Sequence, residues 1–81
     1  MNKDEIFNEV AQIFADLFNK PINEIKYETS PDKLPEWDSL GHVQLIAALE
    51  EKFSLIFSPD MQAEMLNVEL IIDSIQELVN S

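Results

Sequence analysis

Three of the four prolines in this chain, Pro21, Pro31 and Pro35, fall between residues 20 and 36. Proline removes a backbone donor and fixes φ, so this stretch cannot continue a helix. It separates an N-terminal segment from everything that follows. In that segment, about 3–19, Ile6, Val10, Ile13, Phe14 and Leu17 recur at i, i+4, i+7, i+8 and i+11. That spacing predicts an amphipathic helix. Asp4 and Glu5 suit the positive end of its dipole. Residues 20–38 read as a long loop, and Ile22, Ile25, Tyr27, Leu34 and Trp37 are expected to pin it to the core.

The second helix is expected at 39–53. Asp38 is a suitable N-cap, because its carboxylate can accept from the unpaired N–H groups of the first turn. Leu45, Ile46, Leu49 and Phe53 share one face, and Leu40, Val43 and Ala47 form a second face beside it. One stripe suffices to reach a core. The extra one is either wide core contact or a surface for a partner. Ser58-Pro59 then reads as an N-cap followed by proline at the first helical position. A short helix at about 59–66 follows, with Met61, Met65 and Leu66 as its apolar residues. Asn67 can cap a last helix at 68–79, where Val68, Ile71, Ile72, Ile75, Leu78 and Val79 repeat at helical spacing. The fold class is all-α: a four-helix bundle with a short third helix and a long ordered loop between helices one and two, one domain over 1–81.

Charge narrows the partners. Sixteen acidic residues against five basic ones, all lysine, give a net charge of -11. Such a chain is repelled by nucleic acid and by anionic lipid, and basic protein surfaces are its natural counterparts. There is no cysteine and only one histidine, His42, so neither a metal site nor a catalytic set is expected. No acidic ligand loop with a central glycine suggests calcium. The start MNKDEIF carries no export signal, and LIAAL at 45–49 is far too short to span a bilayer. A cytoplasmic monomer without membrane insertion is the expectation.

Asp-Ser occurs twice, at 38–39 and at 73–74. Ser39 is expected at the first position of the second helix. A phosphate on its hydroxyl would meet unpaired N–H groups and the positive dipole end. Ser74 lies inside the last helix, with no free helix end beside it, and reads as a solvent-facing helix serine. Asp-Ser at a helix start is also an ordinary capping pair, so the dipeptide alone does not establish function. His42 shares an angle with Leu49 and Phe53, which suggests a half-buried packing or hydrogen-bonding residue. Gly41 leaves room near any group on Ser39.

The segment DSLGHVQLIAALEEKF resembles the serine motif and recognition helix of acyl carrier proteins. The likeness extends over nearly the whole chain, through INEI at 22–25 and NVELIIDSIQELV at 67–79. It implies a four-helix carrier in which Ser39 receives 4′-phosphopantetheine from coenzyme A by a separate magnesium-dependent phosphopantetheinyl transferase. The thiol of that arm carries acyl groups as thioesters between enzymes of fatty-acid, polyketide or another specialised pathway. On the same resemblance Asp38 serves the helix start and the transfer, while Leu40, Val43, Ala47, Glu50 and Glu51 belong to motif and partner recognition. Leu45, Ile46, Leu49 and Phe53 are core residues that can also line an acyl pocket. Glu36, Asp38, Glu50, Glu51, Asp60 and Glu64 are expected to steer acyl- or aminoacyl-loading and processing enzymes that carry basic docking surfaces.

Three features depart from the best-known fatty-acid carriers. Gly41-His42 follows the triplet, Gln44 stands where glutamate is common, and Trp37 precedes the aspartate. They thin the negative charge beside Ser39 and point to a dedicated rather than a housekeeping carrier. An aminoacyl or peptidyl carrier, including a D-alanyl type, is the alternative. An acidic helical docking module that is never modified is a further one.

Overall fold

The computed structural model describes residues 1–80. Four helices follow in order: α1 (Lys3–Phe18), α2 (Ser39–Phe53), α3 (Pro59–Glu64) and α4 (Val68–Val79). No strand occurs among the described residues, so the all-α expectation holds. Each helix starts where a side chain satisfies its free amides. Asn2 and Glu5 form a reciprocal capping box on α1. Asp38, Ser58 and Asn67 cap α2, α3 and α4, with Pro59 opening α3. The C-caps of α1 and α2, Asn19 and Ser54, take the left-handed conformation that closes a helix.

The core is built where α1 packs on α2 and α4. Ile6, Val10 and Phe14 of α1, Leu45 and Leu49 of α2, and Val68, Ile71, Ile72 and Ile75 of α4 are all buried. Burial of each such side chain is worth about 1.5–3 kcal/mol, and this apolar surface, not helix propensity, holds helices of this length together. Ala11, Phe18 and Phe57 join the core as well, outside the strict period of their segments. Ile13, Leu17, Phe53 and Leu78 are only half-buried and pack against it. Val79 is exposed at the end of α4.

The 20–38 loop is ordered by successive turns. Ile22–Glu24 is a 3-10 turn, and Thr29, Lys33 and Trp37 each donate a backbone bond to a residue three before. The loop also completes α4. The Val68 and Glu69 amides donate to the carbonyls of Thr29 and Tyr27, both at 3.0 Å, so loop and helix start share their polar groups. Ile25, Leu34 and Trp37 are buried and Tyr27 is half-buried, stacked on Phe7 at 4.5 Å.

Three expectations need correction. Ile22 does not pin the loop: it is 46% exposed, because Ile25 takes the core position at the end of the turn. The third helix stops at Glu64 rather than 66. Met65 leaves the helical region to enter the core, and this turns Leu66 out to 63% exposure. Ser74 is half-buried within α4, not solvent-facing.

Candidate functional site

The site forms where the loop meets α2. The Asp38 carboxylate accepts from the Gly41 amide at 2.8 Å, and the Asp38 carbonyl accepts from the His42 amide at 2.8 Å. These bonds fix the first turn and leave Ser39 exposed at the first helical position. Only its neighbours are committed to the cap, so the Ser39 side chain faces outward at the positive end of a 15-residue helix.

Gly41 explains how the loop lies so close to the helix. A Cβ there would sit 2.6 Å from the Glu36 carbonyl oxygen and 2.9 Å from the Phe18 ring. The missing side chain therefore makes room for loop backbone and the end of α1, not for a group on Ser39. The chain has a single glycine, and its place at a helix start was the available signal of a close approach.

Trp37 and His42 bind the same junction to α3. The Trp37 indole N–H donates to His42 Nδ1 at 2.9 Å, with the rings stacked at 6.0 Å between centroids. Indole is only a donor. His42 Nδ1 is therefore the acceptor, Nε2 carries the proton, and it donates to the Gln62 carbonyl at 3.0 Å. Gln62 in turn donates its side-chain amide to the Phe57 carbonyl at 3.0 Å. His42 is half-buried and hydrogen-bonded, as its position suggested. Its contact with Gln62 uses backbone, which no residue pattern announces. On its other side Trp37 meets Phe14 edge-on at 5.0 Å, linking the site to the core.

Between the start of α2 and the α3 segment lies an open cleft of ≈ 490 Å³. Trp37, Ser39, His42, Met65 and Leu66 line it. Ser39 sits on its rim with mainly apolar side chains beside it.

The second apolar stripe of α2 is not core. Leu40 and Val43 are each 66% exposed, and Ala47 is exposed as well. Two of the acidic residues nearby, Glu36 and Glu50, are tied to the chain itself. Glu36 pairs with Lys20 at 2.8 Å. The hydrogen bond from Lys20 holds the Glu36 carboxyl below the ordinary carboxylate range, and the same bond raises Lys20. Glu50 is half-buried, and its carboxylate accepts from the Phe57 amide at 2.9 Å. Glu51 is exposed on α2. The structure thus brings Asp38, Ser39, Leu40 and Val43 to one end of α2, while Glu50 is bound to the link that follows the helix.

No family model matches the chain. Curated relatives do, over nearly its full length. It is similar to an acyl carrier protein of Thermosynechococcus vestitus, 38% identical over 98% of both chains. It is similar to another from Rubrobacter xylanophilus, 36% identical over 95% of both. Acyl carrier protein 3 of Ralstonia nicotianae is 28% identical over 98% of this chain and 83% of its own. With these identities spread over the whole four-helix architecture, and a serine standing free at the capped start of α2, the chain belongs to the acyl carrier protein family.

Proposed function

We propose that the chain carries acyl groups on a 4′-phosphopantetheine arm attached to Ser39 and has no catalytic activity of its own. A single observation supports this reading most. Ser39 is exposed at the start of α2, its neighbours hold the cap, and a mainly apolar cleft opens beside it. These residues fit the group. A phosphodiester at that hydroxyl meets the positive end of the helix, and the methyl and methylene groups of the arm have a mainly apolar cleft beside them. The arm supplies a thiol that holds cargo as a thioester.

The attachment balances as a phosphoryl transfer. The Ser39 oxygen forms the new phosphorus–oxygen bond, the pyrophosphate link of coenzyme A breaks, and adenosine 3′,5′-bisphosphate leaves. The serine proton passes to a base or water at the transferase. Asp38 supports the step by keeping the first turn formed. The half-buried setting of Ser74 inside α4 gives a transferase no comparable access.

This reading places the carrier in the cytoplasm, where coenzyme A and its transferase meet it. Among the described residues no helix is long and apolar enough to cross a membrane. The absence of charge on α2 beside Ser39 favours a carrier for a dedicated acyl pathway over a housekeeping one.

The experiment is intact mass before and after incubation with coenzyme A, magnesium and a broad-specificity phosphopantetheinyl transferase, beside Ser39→Ala. A gain of one phosphopantetheine, absent from the variant, is expected. No gain on folded, unmodified protein would leave Asp38-Ser39 as a helix cap and the chain as an unmodified docking module.

A further inference from the structure

We propose that the Trp37–His42–Gln62 relay is a pH-sensitive latch. A second ring proton on His42 breaks it at the indole, frees the α3 segment and widens the cleft beside Ser39. The inference holds whether or not Ser39 carries an arm.

The chemistry of the ring carries the first half of the argument. Neutral His42 accepts at Nδ1 from the Trp37 indole at 2.9 Å, and donates from Nε2 to the Gln62 carbonyl at 3.0 Å. Imidazolium has two N–H donors and no acceptor, and indole is a donor only. A proton at Nδ1 therefore sets two donors against each other. Trp37 is 2% exposed and has no water to turn to. His42 is half-buried and can swing its charge outward. Both nitrogens belong to one rigid ring, so a swing that takes Nδ1 from the indole also takes Nε2 from Gln62. Histidine is the side-chain type whose charge changes between about pH 5 and pH 8.

The light anchoring of α3 carries the second half. The helix is six residues long, too short to be stable alone, and none of its residues is buried. Met65, just beyond it, is its core anchor. Its polar anchors meet at Gln62, whose carbonyl accepts from His42 and whose side-chain amide donates to the Phe57 carbonyl. Gln62, Met65 and Leu66 line the cleft from the α3 side, and Trp37, Ser39 and His42 line it from the other. Release of Gln62 is thus felt where Ser39 stands.

Other titratable groups surround the latch without entering it. Asp38 lines the same cleft, with its carboxylate engaged by the Gly41 amide. From the loop, Glu36 is paired with Lys20. On α3, Asp60 and Glu64 are exposed on either side of Gln62. From α1 the relay meets Phe14. Along α2, from Ser39 to Leu49, no side chain other than His42 is acidic or basic. The two bonds of His42 are what its second proton disturbs.

The test is an NMR titration of the parent chain from about pH 8 to about pH 5. His42 is the only histidine and Trp37 the only tryptophan, so each gives one unambiguous ring signal. The indole N–H resonance is expected to shift in step with the His42 imidazole. Protection of the Gln62 and Met65 amides against exchange, corrected for its intrinsic pH dependence, is expected to fall about tenfold over the same range. His42→Gln keeps an acceptor without a titrating ring and is expected to show neither change. Asp38→Asn removes the carboxylate in the cleft and is expected to show both. An indole resonance that stays constant while His42 titrates overturns the proposal, as does an imidazole that takes no second proton before the chain unfolds. Equal loss of protection in His42→Gln also overturns it and assigns the effect to the carboxylates of α3. The parent titration decides alone if His42→Gln fails to fold.

Discussion

The indole N–H of Trp37 donates to Nδ1 of His42 at 2.9 Å, and this bond joins three parts of the molecule. Trp37 belongs to the loop and reaches Phe14 of α1. His42 belongs to α2 and reaches the Gln62 carbonyl of α3. The short helix nearest to Ser39 is thus held partly through one imidazole.

Replacing His42 by leucine keeps apolar volume but removes the acceptor for a buried indole. Trp37 is 2% exposed, so its N–H cannot turn to water. His42→Leu is expected to cost about 1–3 kcal/mol of stability. His42→Gln, which offers both an acceptor and a donor, is expected to recover part of it. Trp37 is the only tryptophan, so its emission during urea unfolding reads both variants. Equal stability of His42→Leu and the parent chain would show that the relay contributes nothing.

Gly41→Ala separates helix propensity from packing. In an open helix interior the change is worth up to about 1 kcal/mol in favour of alanine. Here the added Cβ falls 2.6 Å from the Glu36 carbonyl, which is backbone and cannot rotate away. Overpacking of this kind typically costs about 1–3 kcal/mol, so the variant is expected to be less stable than the parent. A higher midpoint in thermal unfolding would refute the close approach.

Much of this was legible in the residues, and the exceptions have a common cause. The helices and their caps at Asp38, Ser58 and Asn67 follow from local pattern, because a cap is a contact three residues long. The place of Ser39 at the first position of α2 was legible for the same reason. Ile22 and Leu66 were misplaced because a turn and a helix end each chose between two neighbouring apolar residues, Ile22 against Ile25 and Leu66 against Met65. That choice is made by tertiary packing. Gln62 was missed because its carbonyl, not its side chain, meets His42. The role of Gly41 depends on backbone 5 residues earlier and on Phe18 of another helix, a juxtaposition that spacing does not reveal.

Substitution can separate the cap that Asp38 forms from the proposed role of its carboxylate in the transfer to Ser39. Asp38→Ala removes the acceptor of the Gly41 amide and is expected to cost about 1 kcal/mol. Asp38→Asn keeps an oxygen in place and is expected to retain most of that stability. If the carboxylate also serves the transfer to Ser39, Asp38→Asn folds like the parent yet accepts the arm more slowly. Chemical denaturation and intact mass together read the two effects, and unchanged transfer in the folded Asp38→Asn variant would confine Asp38 to the cap.

The Lys20–Glu36 pair predicts a pH window. Glu36 is lowered in the folded chain, chiefly by the hydrogen bond from Lys20. Its contribution is complete above the unfolded carboxylate value and is lost as pH falls through the folded one. Lys20 is raised by the same bond. Its contribution is complete below the unfolded lysine value and is lost as pH rises through the folded one. Between these limits the pair adds a constant stabilisation, small because both groups face solvent and screened by salt. It ties the end of α1's connection to the backbone that packs over Gly41, so it acts on the loop that presents Ser39. A double-mutant cycle with Lys20→Gln and Glu36→Gln is expected to show favourable coupling at neutral pH that vanishes in acid. Coupling that persists once Glu36 is protonated would mean the two side chains act through packing rather than charge.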